Sequence, residues 1–368
     1  MSNTKICVYA IAKNEDMFVD RFMDSMAEAD CVVVLDTGST DNTVQKLRDR
    51  GAVVSVREIN PWRFDVARNE SMKLIPHDAD VCVCVDLDEV FEPGWANTIR
   101  KHWRKGVTEK ARYAYAWDHD SDGEPRTVIW YEKMHDNSGN WEWRMPVHEA
   151  LTYKNAGDPK TILIPKEDLF LHHYPDNTKS RGQYLDLMRM ATSEKPRGYM
   201  EHYYLGRELT FYQKWDEAVA VLEFTTRHLF ANQNKFLGNQ AAAYGFLGKS
   251  YEELGRLHDA ETAFVYGAGL IHNTREPLIN LMNFYYRHKR WHSLIDAGER
   301  AIRIGYVPTV WYEDFNNYGY IPHDLLAIGY WNVGLVDKGR EHAELAAGFK
   351  PDDERLQANL KWFTGDLP

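Results

Sequence analysis

The chain of 368 residues is long enough for two domains, and its 44% hydrophobic content is enough for a packed core. A formal net charge of −11 disfavours broad binding to duplex nucleic acid, which needs clustered lysine and arginine. The first residues show no signal-peptide pattern, no apolar run reaches the roughly 18 residues of a membrane span, and the four cysteines lie in apolar runs, so we expect a cytoplasmic protein.

The first ninety residues alternate between apolar runs and segments of helical periodicity. Four short apolar runs without a helical stripe predict buried strands at 6–12, 31–35, 53–59 and 81–85. The intervening segments predict helices at 14–28, 44–50 and 65–75. Strands that are apolar on both faces and separated by helices indicate an α/β domain with a mostly parallel sheet and helices on both faces.

Polar clusters follow three of these strands at the point where each strand ends. They are 13–15 after the first strand, 36–41 after the second and 86–89 after the fourth. Because ligands of such sheets bind beyond the carboxyl ends of the strands, these clusters predict a binding site.

The sequence also indicates how this site would hold phosphates. It contains neither Gly-x-Gly-x-x-Gly after the first strand nor a Gly-x-x-x-x-Gly-Lys-Ser/Thr loop. A divalent cation is the simplest alternative, and carboxylate oxygens are the ligands that a hard cation prefers. Asp86 and Asp88 are two residues apart, so in an extended backbone both carboxylates point the same way.

Together these motifs resemble family 2 glycosyltransferases of the GT-A fold over roughly residues 5 to 175. The matching segments are Ala12-Lys13-Asn14-Glu15, the run from Asp36 to Thr43, Ala67-Arg68-Asn69, and Asp86-Leu87-Asp88-Glu89. The resemblance implies that Ala12, Asn14 and Glu15 belong to the donor-binding loop, that Asp36 contacts the base, commonly uracil, and that Arg68 contacts the nucleotide or its phosphates. It further implies that Asp86 contacts the ribose or donor sugar and that Asp88 binds Mn²⁺ or Mg²⁺ through the diphosphate.

The middle of the chain carries further candidates for the chemistry. A Val147-His148-Glu149 segment and the later pair His172-His173 resemble elements of a subset of family 2 transferases that carry helical repeats. An inverting transferase needs a general base, for which we select Glu149. His172, His173 or His148 is a candidate metal ligand beside Asp88, or else an ordinary hydrogen-bonded core residue.

Two tryptophans of the same region allow two interpretations. Trp141 and Trp143 alternate with charged residues as they would along a strand. Their rings would either stack against sugars or fill the core beneath the strand, and the sequence does not decide between these roles.

The second half is helical and repetitive. Gly206 and Gly248, like Ala218 and Ala260, are 42 residues apart and allow close helix packing. The pattern resembles tetratricopeptide (TPR) repeats, whose usual period of about 34 implies an insertion near 231–237. We therefore expect a catalytic GT-A domain at 1–178 and a repeat domain at 179–368, which would bind the acceptor, form a homodimer or brace the first domain.

The leading hypothesis is a metal-dependent, inverting glycosyltransferase that uses a nucleotide-diphosphate sugar, with a UDP-sugar favoured. The acceptor would be a hydroxyl or similar nucleophile on a protein, a saccharide or a modified nucleobase. The alternatives are a repeat scaffold with an inactive transferase domain and, with less support, a nucleotidyltransferase, which would usually carry a glycine-rich loop near the first strand.

Overall fold

The computed structural model describes residues 4–120, 122–176, 182–229, 237–306 and 313–364. The chain divides into two compact units, Met1–Glu194 and Lys195–Pro368. The sequence predicted a domain boundary at 178/179, whereas the two units meet after Glu194. The helix Tyr184–Glu194 therefore lies in the first unit and not with the repeats.

The N-terminal unit contains eleven strands and five helices among its described residues. The strands, β1 to β11 in chain order, are Ile6–Ala12, Cys31–Asp36, Val53–Val56, Val81–Cys84, Glu89–Phe91, Lys110–His119, Pro125–Asp136, Trp141–Arg144, Ala150–Tyr153, Thr161–Leu163 and Phe170–His173. The helices, α1 to α5, are Asp16–Met26, Thr43–Asp49, Phe64–Met72, Trp95–His102 and Tyr184–Glu194. The predicted strands and helices of the first ninety residues are confirmed, with ends that differ by a few residues.

The main sheet of this unit is mixed. Its strand order is β3-β2-β1-β4-β7-β6-β11-β5, and β10 pairs with β6. The first four strands in that order are parallel, whereas β7 runs antiparallel to both β4 and β6. Since β6 therefore runs in the direction of β4, and β11 is parallel to β6, the carboxyl ends of β1, β2, β4, β6 and β11 share one edge. That edge carries the predicted polar clusters.

Both faces of the sheet are covered. Successive residues of β1 point to opposite sides, and each set is buried in a core of its own. Ile6, Val8 and Ala10 join one core with α1 and α4. Cys7 and Tyr9 join a second core with Trp143 of β8. The small antiparallel sheet of β8 and β9 thus packs against the second face, as does α3, which contacts both β1 and β8. The α/β prediction with helices on both faces is confirmed.

The C-terminal unit is a series of helices in which each helix packs against the next. Helices α6 to α14 are Tyr199–Phe211, Trp215–Leu229, Leu237–Glu253, Leu257–Leu270, Glu276–Arg287, Trp291–Ile302, Tyr320–Asn332, Val336–Phe349 and Glu354–Thr364. A two-residue extended segment, Glu313–Asp314, and a single 3₁₀ turn, Phe315–Asn317, precede α12. This arrangement of successive helix pairs confirms the helical-repeat prediction; the predicted insertion near 231–237 lies largely outside the described residues.

The glycines selected from the sequence lie at points where paired helices approach each other closely. A Cβ atom added to Gly206 in α6 would lie 2.6 Å from the Leu222 side chain in α7. A Cβ added to Gly248 in α8 would lie 2.9 Å from the Phe264 ring in α9. In both pairs the large residue follows the glycine by sixteen positions, so the two pairs repeat the same packing contact.

The packing around Gly206 and Gly269 predicts that glycine-to-alanine changes at these two positions have opposite effects on stability. Gly206→Ala should lower the free energy of unfolding by about 1–3 kcal/mol, because Leu222 is fully buried and the added methyl overpacks the helix pair. Gly269→Ala in α9 meets no atom within 4 Å, so the better helix propensity of alanine should leave stability unchanged or raise it by up to about 1 kcal/mol. Urea unfolding monitored by circular dichroism measures both; equal stabilities for the two variants would contradict the packing argument.

Candidate active site

The loops after β1 and β2 are tied together by side-chain hydrogen bonds. The backbone N–H of Asn14 donates to the Ser39 hydroxyl at 2.8 Å, and the Asn14 side-chain oxygen accepts from the backbone N–H of Thr40 at 2.8 Å. The backbone N–H of Glu15 donates to the Thr43 hydroxyl at 2.8 Å. Asn14 has a left-handed backbone with φ of 55°, which an asparagine tolerates better than most residues. The first loop therefore fixes the shape of the second.

Asp36 shapes its own turn. Its side chain is buried, and one carboxylate oxygen accepts the backbone N–H groups of Gly38 at 3.0 Å and Ser39 at 2.9 Å. The Ser39 hydroxyl donates to the other oxygen. The carbonyl of Ala12 accepts the N–H of Thr37 at 2.8 Å, which joins this turn to the end of β1. Ala12, Asn14, Glu15 and Asp36 therefore converge at one place, as the sequence predicts; their nucleotide contacts stay predictions.

Arg68 is the buried cation of the site. Only 4% of its surface is exposed, on the face of α3 that packs against the sheet. Its Nε donates to Glu149 Oε1 at 2.5 Å, and its Nη2 lies 2.8 Å from Asp86 Oδ1. The guanidinium also lies over the ring of Trp143, 5.2 Å from the centroid. One side chain thus connects α3, the end of β4 and the segment after β8.

A second cation, Lys133 of β7, approaches Asp86 from the other side. Lys133 Nζ lies 3.2 Å from Asp86 Oδ2 and 3.7 Å from Glu89 Oε1, and 4.5 Å from the centroid of the Tyr131 ring. Burial acts to raise the pKa of Asp86, but the charges of Arg68 and Lys133 outweigh it and hold that pKa well below its usual range. Asp86 is therefore a firmly ionised carboxylate.

Glu89 is the buried acid of the same cluster. Its side chain is almost fully buried, and its Oε2 accepts the backbone N–H of Asp86 at 2.8 Å. Burial raises the pKa of Glu89 to about 7, with Lys133 acting to lower it and the carboxylates of Asp86 and Asp88 acting to raise it. Glu89 thus orders the backbone of the Asp86-to-Asp88 segment.

Asp88 and His173 form the open pair of the site. His173 Nε2 lies 3.3 Å from Asp88 Oδ2, and the Nδ1–H of His173 donates to the Trp117 carbonyl at 2.9 Å. Burial lowers the pKa of His173, but the hydrogen bond and charge of Asp88 outweigh it and raise that pKa above its ordinary value. The structure therefore brings together a carboxylate oxygen and an imidazole nitrogen at the shared edge.

The other two candidate histidines contact other groups. His172 Nε2 faces Glu92 Oε1 at 3.1 Å, and its Nδ1 faces His119 Nε2 at 2.9 Å. His148, with a left-handed φ of 51°, contacts the ring of Tyr184. Across the described ranges there is no group of three or more His, Cys, Asp or Glu side chains arranged to hold a metal ion. His173 is the candidate histidine whose contact with Asp88 the structure shows.

The two tryptophans with an undecided role are core residues. Trp141 is 4% and Trp143 is 2% exposed, so neither ring is available to a sugar. Trp143 Nε1–H donates to the Tyr9 hydroxyl at 3.1 Å, and the Asn69 side chain pairs with both the backbone N–H and the carbonyl of Trp143. The Tyr9 hydroxyl in turn faces His135 Nε2 at 3.0 Å. This buried series of hydrogen bonds fixes the position of β8, and the segment after β8 contains Glu149.

Lys133, Tyr131 and Trp117 belong to the site but were not identified from the sequence. Tyr131 and Lys133 are two residues apart on β7 and therefore point to the same side. The lysine of β7 follows two aromatic residues, Trp130 and Tyr131, and this pattern could have identified it from the sequence. A lysine that is buried in such a strand needs a carboxylate partner. The partner itself depends on the antiparallel pairing of β7 with β4, which no local pattern in the sequence specifies.

Comparison with known proteins gives the class of the N-terminal unit. Residues 7–156 match the family described as glycosyl transferase family 2. The match includes both interlocked loops, Arg68, the Asp86-to-Glu89 segment and Glu149. The N-terminal unit therefore contains a region that matches glycosyl transferase family 2, which confirms the resemblance found in its motifs.

Solved structures provide further similarities. MamA protein has 18% identity, with 45% of this chain and 81% of that chain covered and a TM-score of 0.37. YrrB, a TPR protein with an unusual peptide-binding site, has 12% identity, coverages of 48% and 82%, and a TM-score of 0.38. A thermophilic TPR protein in Thermus thermophilus has 18% identity, coverages of 50% and 91%, and a TM-score of 0.33. No curated protein matches the chain.

The described part of the chain contains no helix that is both long enough and apolar enough to cross a membrane.

The buried hydrogen bonds that join Trp143, Tyr9 and His135 predict that the stability of the protein depends on pH. Burial lowers the pKa of His135 to about 4 from an ordinary value of 6.5, so the unfolded chain binds more protons between these values. Stability should therefore fall as pH drops through this window, by about 2 kcal/mol between pH 7 and pH 5. Urea unfolding at both pH values, with His135→Gln as the control, should show that extra loss in the wild type alone; equal losses would contradict the assignment.

Proposed function

We propose that this protein is a metal-dependent, inverting glycosyltransferase that moves a sugar from a nucleotide-diphosphate sugar, with a UDP-sugar favoured, to a hydroxyl or similar nucleophile. The observation that carries the proposal is the placement of Asp86, Arg68 and Lys133 next to the open Asp88–His173 pair at the carboxyl edge of the sheet. Such an edge is where ligands of open α/β sheets bind.

The Asp88–His173 pair is suited to a divalent cation. It offers one carboxylate oxygen and one imidazole nitrogen, and both side chains are partly exposed. Mn²⁺ accepts both donor types, and Mg²⁺ also uses carboxylates, with the remaining positions filled by phosphate and water oxygens. The hydrogen bond from His173 Nδ1–H to the Trp117 carbonyl leaves Nε2 as the ligating nitrogen. When bound, the cation would neutralise charge that develops on the departing diphosphate.

Arg68 has a second part in the proposed mechanism. Its guanidinium is already paired with Asp86 and Glu149, so a donor phosphate would compete with these two carboxylates for the same N–H groups. A guanidinium binds phosphate oxygens through two parallel hydrogen bonds. The exchange would take place when the donor binds, so the guanidinium would already contact the phosphate when charge develops on the leaving group.

Glu149 is the proposed general base, and its ion pair sets a condition for this role. Glu149 Oε1 lies 2.5 Å from the Arg68 Nε, so this carboxylate is engaged in an ion pair in the empty site. The transfer of Arg68 from Glu149 to the donor phosphate would free the carboxylate to accept the acceptor's proton. The base would then be active only when the donor is bound, which limits wasteful proton transfer in the empty site.

The metal proposal predicts the effect of removing the Asp88 carboxylate. Asp88→Ala should lower Mn²⁺-dependent release of nucleotide diphosphate by about 100-fold or more, because the charge on the leaving group loses its partner. The measurement is turnover of a panel of nucleotide sugars with and without Mn²⁺. Asp78→Ala removes an exposed carboxylate at the opposite end of β4 and should leave the rate unchanged. An undiminished rate for Asp88→Ala would contradict the mechanism.

The base proposal predicts a separation of chemistry from binding. Glu149→Gln keeps the shape of the side chain and should lower kcat by about 100-fold or more while the KM for the donor changes little. Arg68→Lys, which loses the paired N–H groups, should instead raise the donor KM. If Glu149→Gln retained the wild-type kcat, Glu149 would hold Arg68 in position and another group would take the proton.

The acceptor and the location complete the proposal. A protein, a saccharide or a modified nucleobase would supply the nucleophile, and the helical unit would bind it, form a homodimer or brace the catalytic unit. We place the enzyme in the cytoplasm, a proposal that rests on the composition and the cysteine-bearing apolar runs. A scaffold with an inactive transferase domain predicts no Mn²⁺-dependent binding of UDP in a calorimetric titration, whereas the enzyme predicts such binding.

A further inference from the structure

Lys133 lies in the proposed site but takes no part in the mechanism above. It is on β7, and 15% of its side chain is exposed. Its Nζ lies 3.2 Å from Asp86 Oδ2, the same oxygen that lies 3.1 Å from Arg68 Nη2. Arg68 Nη2 also lies 2.8 Å from Asp86 Oδ1. One carboxylate oxygen therefore accepts hydrogen bonds from two different cations.

Lys133 is held in place by groups other than Arg68. Its Nζ lies 3.7 Å from Glu89 Oε1 and 4.5 Å from the centroid of the Tyr131 ring. The Glu89 side chain is 1% exposed, and its Oε2 accepts the backbone N–H of Asp86 at 2.8 Å. Lys133, Glu89 and Asp86 thus form a closed triangle of contacts that includes both the backbone and the side chain of Asp86. Arg68 is not part of this triangle.

Donor binding makes a demand on Arg68 that this triangle would meet. A donor phosphate competes with Asp86 and Glu149 for the N–H groups of Arg68. To remove the cation from a buried ion pair is strongly unfavourable when the carboxylate is left without a partner. Asp86 would keep Lys133 as its partner when Arg68 turns to the phosphate, so the exchange would not leave the Asp86 charge uncompensated.

We infer that Lys133 is a positioning residue for donor binding, because it holds and neutralises Asp86 and thereby releases the Arg68 guanidinium to a phosphate of the donor. The inference rests on the proposed function, since it takes Arg68 to bind that phosphate. The two cations would then have different roles. Arg68 would exchange partners as the donor binds, whereas Lys133 would keep its contacts with Asp86 and Glu89 throughout.

The alternative role for Lys133 is a direct contact with the phosphate, since lysine is a common phosphate ligand. The contacts of Lys133 favour the positioning role. An ammonium group has three N–H donors, and the Lys133 ammonium already lies beside two carboxylates and over the face of an aromatic ring. A direct phosphate contact would require Lys133 to leave these groups.

A lysine on the neighbouring strand provides a matched control. Lys110 begins β6, its side chain is 12% exposed, and its Nζ pairs with Glu132. Glu132 also accepts the Nε–H of Arg112 at 2.7 Å, and Lys110 Nζ lies 6.0 Å from the centroid of the Trp141 ring. Lys110 and Arg112 therefore share one carboxylate, as Lys133 and Arg68 do. Lys110 is at the amino end of β6, away from the shared carboxyl edge.

The test measures nucleotide binding separately from turnover. The full chain is titrated with UDP, GDP, CDP and dTDP in the presence of Mn²⁺, and the dissociation constants are measured by calorimetry. Lys133→Met should raise the dissociation constant of the nucleotide that binds by about ten-fold or more, because the phosphate must then compete with Asp86 for its remaining cation. Lys133→Arg keeps the charge and should raise it by about three-fold or less. Lys110→Met should change it by less than about two-fold.

A double-mutant cycle separates positioning from direct phosphate binding. If Lys133 acts through Asp86, Lys133→Met should change the dissociation constant by about two-fold or less in an Asp86→Asn background, because the carboxylate that connects Lys133 to Arg68 is gone. If Lys133 binds the phosphate itself, its loss would weaken binding by the same factor in both backgrounds. That result would overturn the inference.

Further controls separate folding and function from the inference. Circular dichroism and thermal unfolding show whether each variant is folded; Lys133→Gln, which keeps a polar side chain, replaces Lys133→Met if that variant unfolds. An unchanged dissociation constant for the folded variant would overturn the inference, and turnover of a nucleotide sugar by the wild type would leave the proposed function intact. A wild type that binds none of the four nucleotides would also overturn it. Nucleotide binding that depends on Lys133, without turnover of any nucleotide sugar, would support the inference and count against the proposed transfer.

Discussion

The burial of the Arg68 guanidinium is the constraint on which the site depends. A cation with 4% exposure costs several kcal/mol in lost hydration unless carboxylates compensate it. Asp86 and Glu149 supply this compensation from the end of β4 and from the segment after β8. Because both carboxylates must reach the same guanidinium, the two segments that would bind the donor and activate the acceptor are held at one place.

The neighbouring contacts follow from that requirement. Asp86 is paired with two cations, Arg68 on α3 and Lys133 on β7. Strand β7 also joins the parallel half of the sheet to β6 and β11. On the other side, Asn69 follows Arg68 on α3 and pairs with the backbone of Trp143, so β8 is aligned with the helix that carries the cation. The mixed sheet and the small second sheet therefore both end at the Arg68 cluster.

Local patterns in the sequence predicted the parts of this structure that depend on local physics. The apolar runs gave β1, β2 and β4, and the polar residues after them gave Asp36, Asp86 and Asp88. Pairing across distant segments was not available from such patterns. The selection of His173 over His172 depends on which side of β11 faces the loop after β4. The involvement of Lys133 depends on the antiparallel insertion of β7. The role of Trp143 stayed undecided between sugar stacking and core packing because strand alternation alone does not distinguish a covered face from an open one.

The buried charges also distinguish an enzyme from an inactive scaffold. A scaffold needs only a stable fold, and well-packed apolar residues often provide at least as much stability as a buried ion cluster. Two buried cations and their three carboxylate partners form such a cluster at the edge where ligands bind, and the partly exposed Asp88–His173 pair lies beside it. For folding alone, this arrangement contributes less stability than apolar residues would. For the binding of phosphate and a cation, its charged groups are already in position. The geometry therefore favours catalysis over a purely structural role.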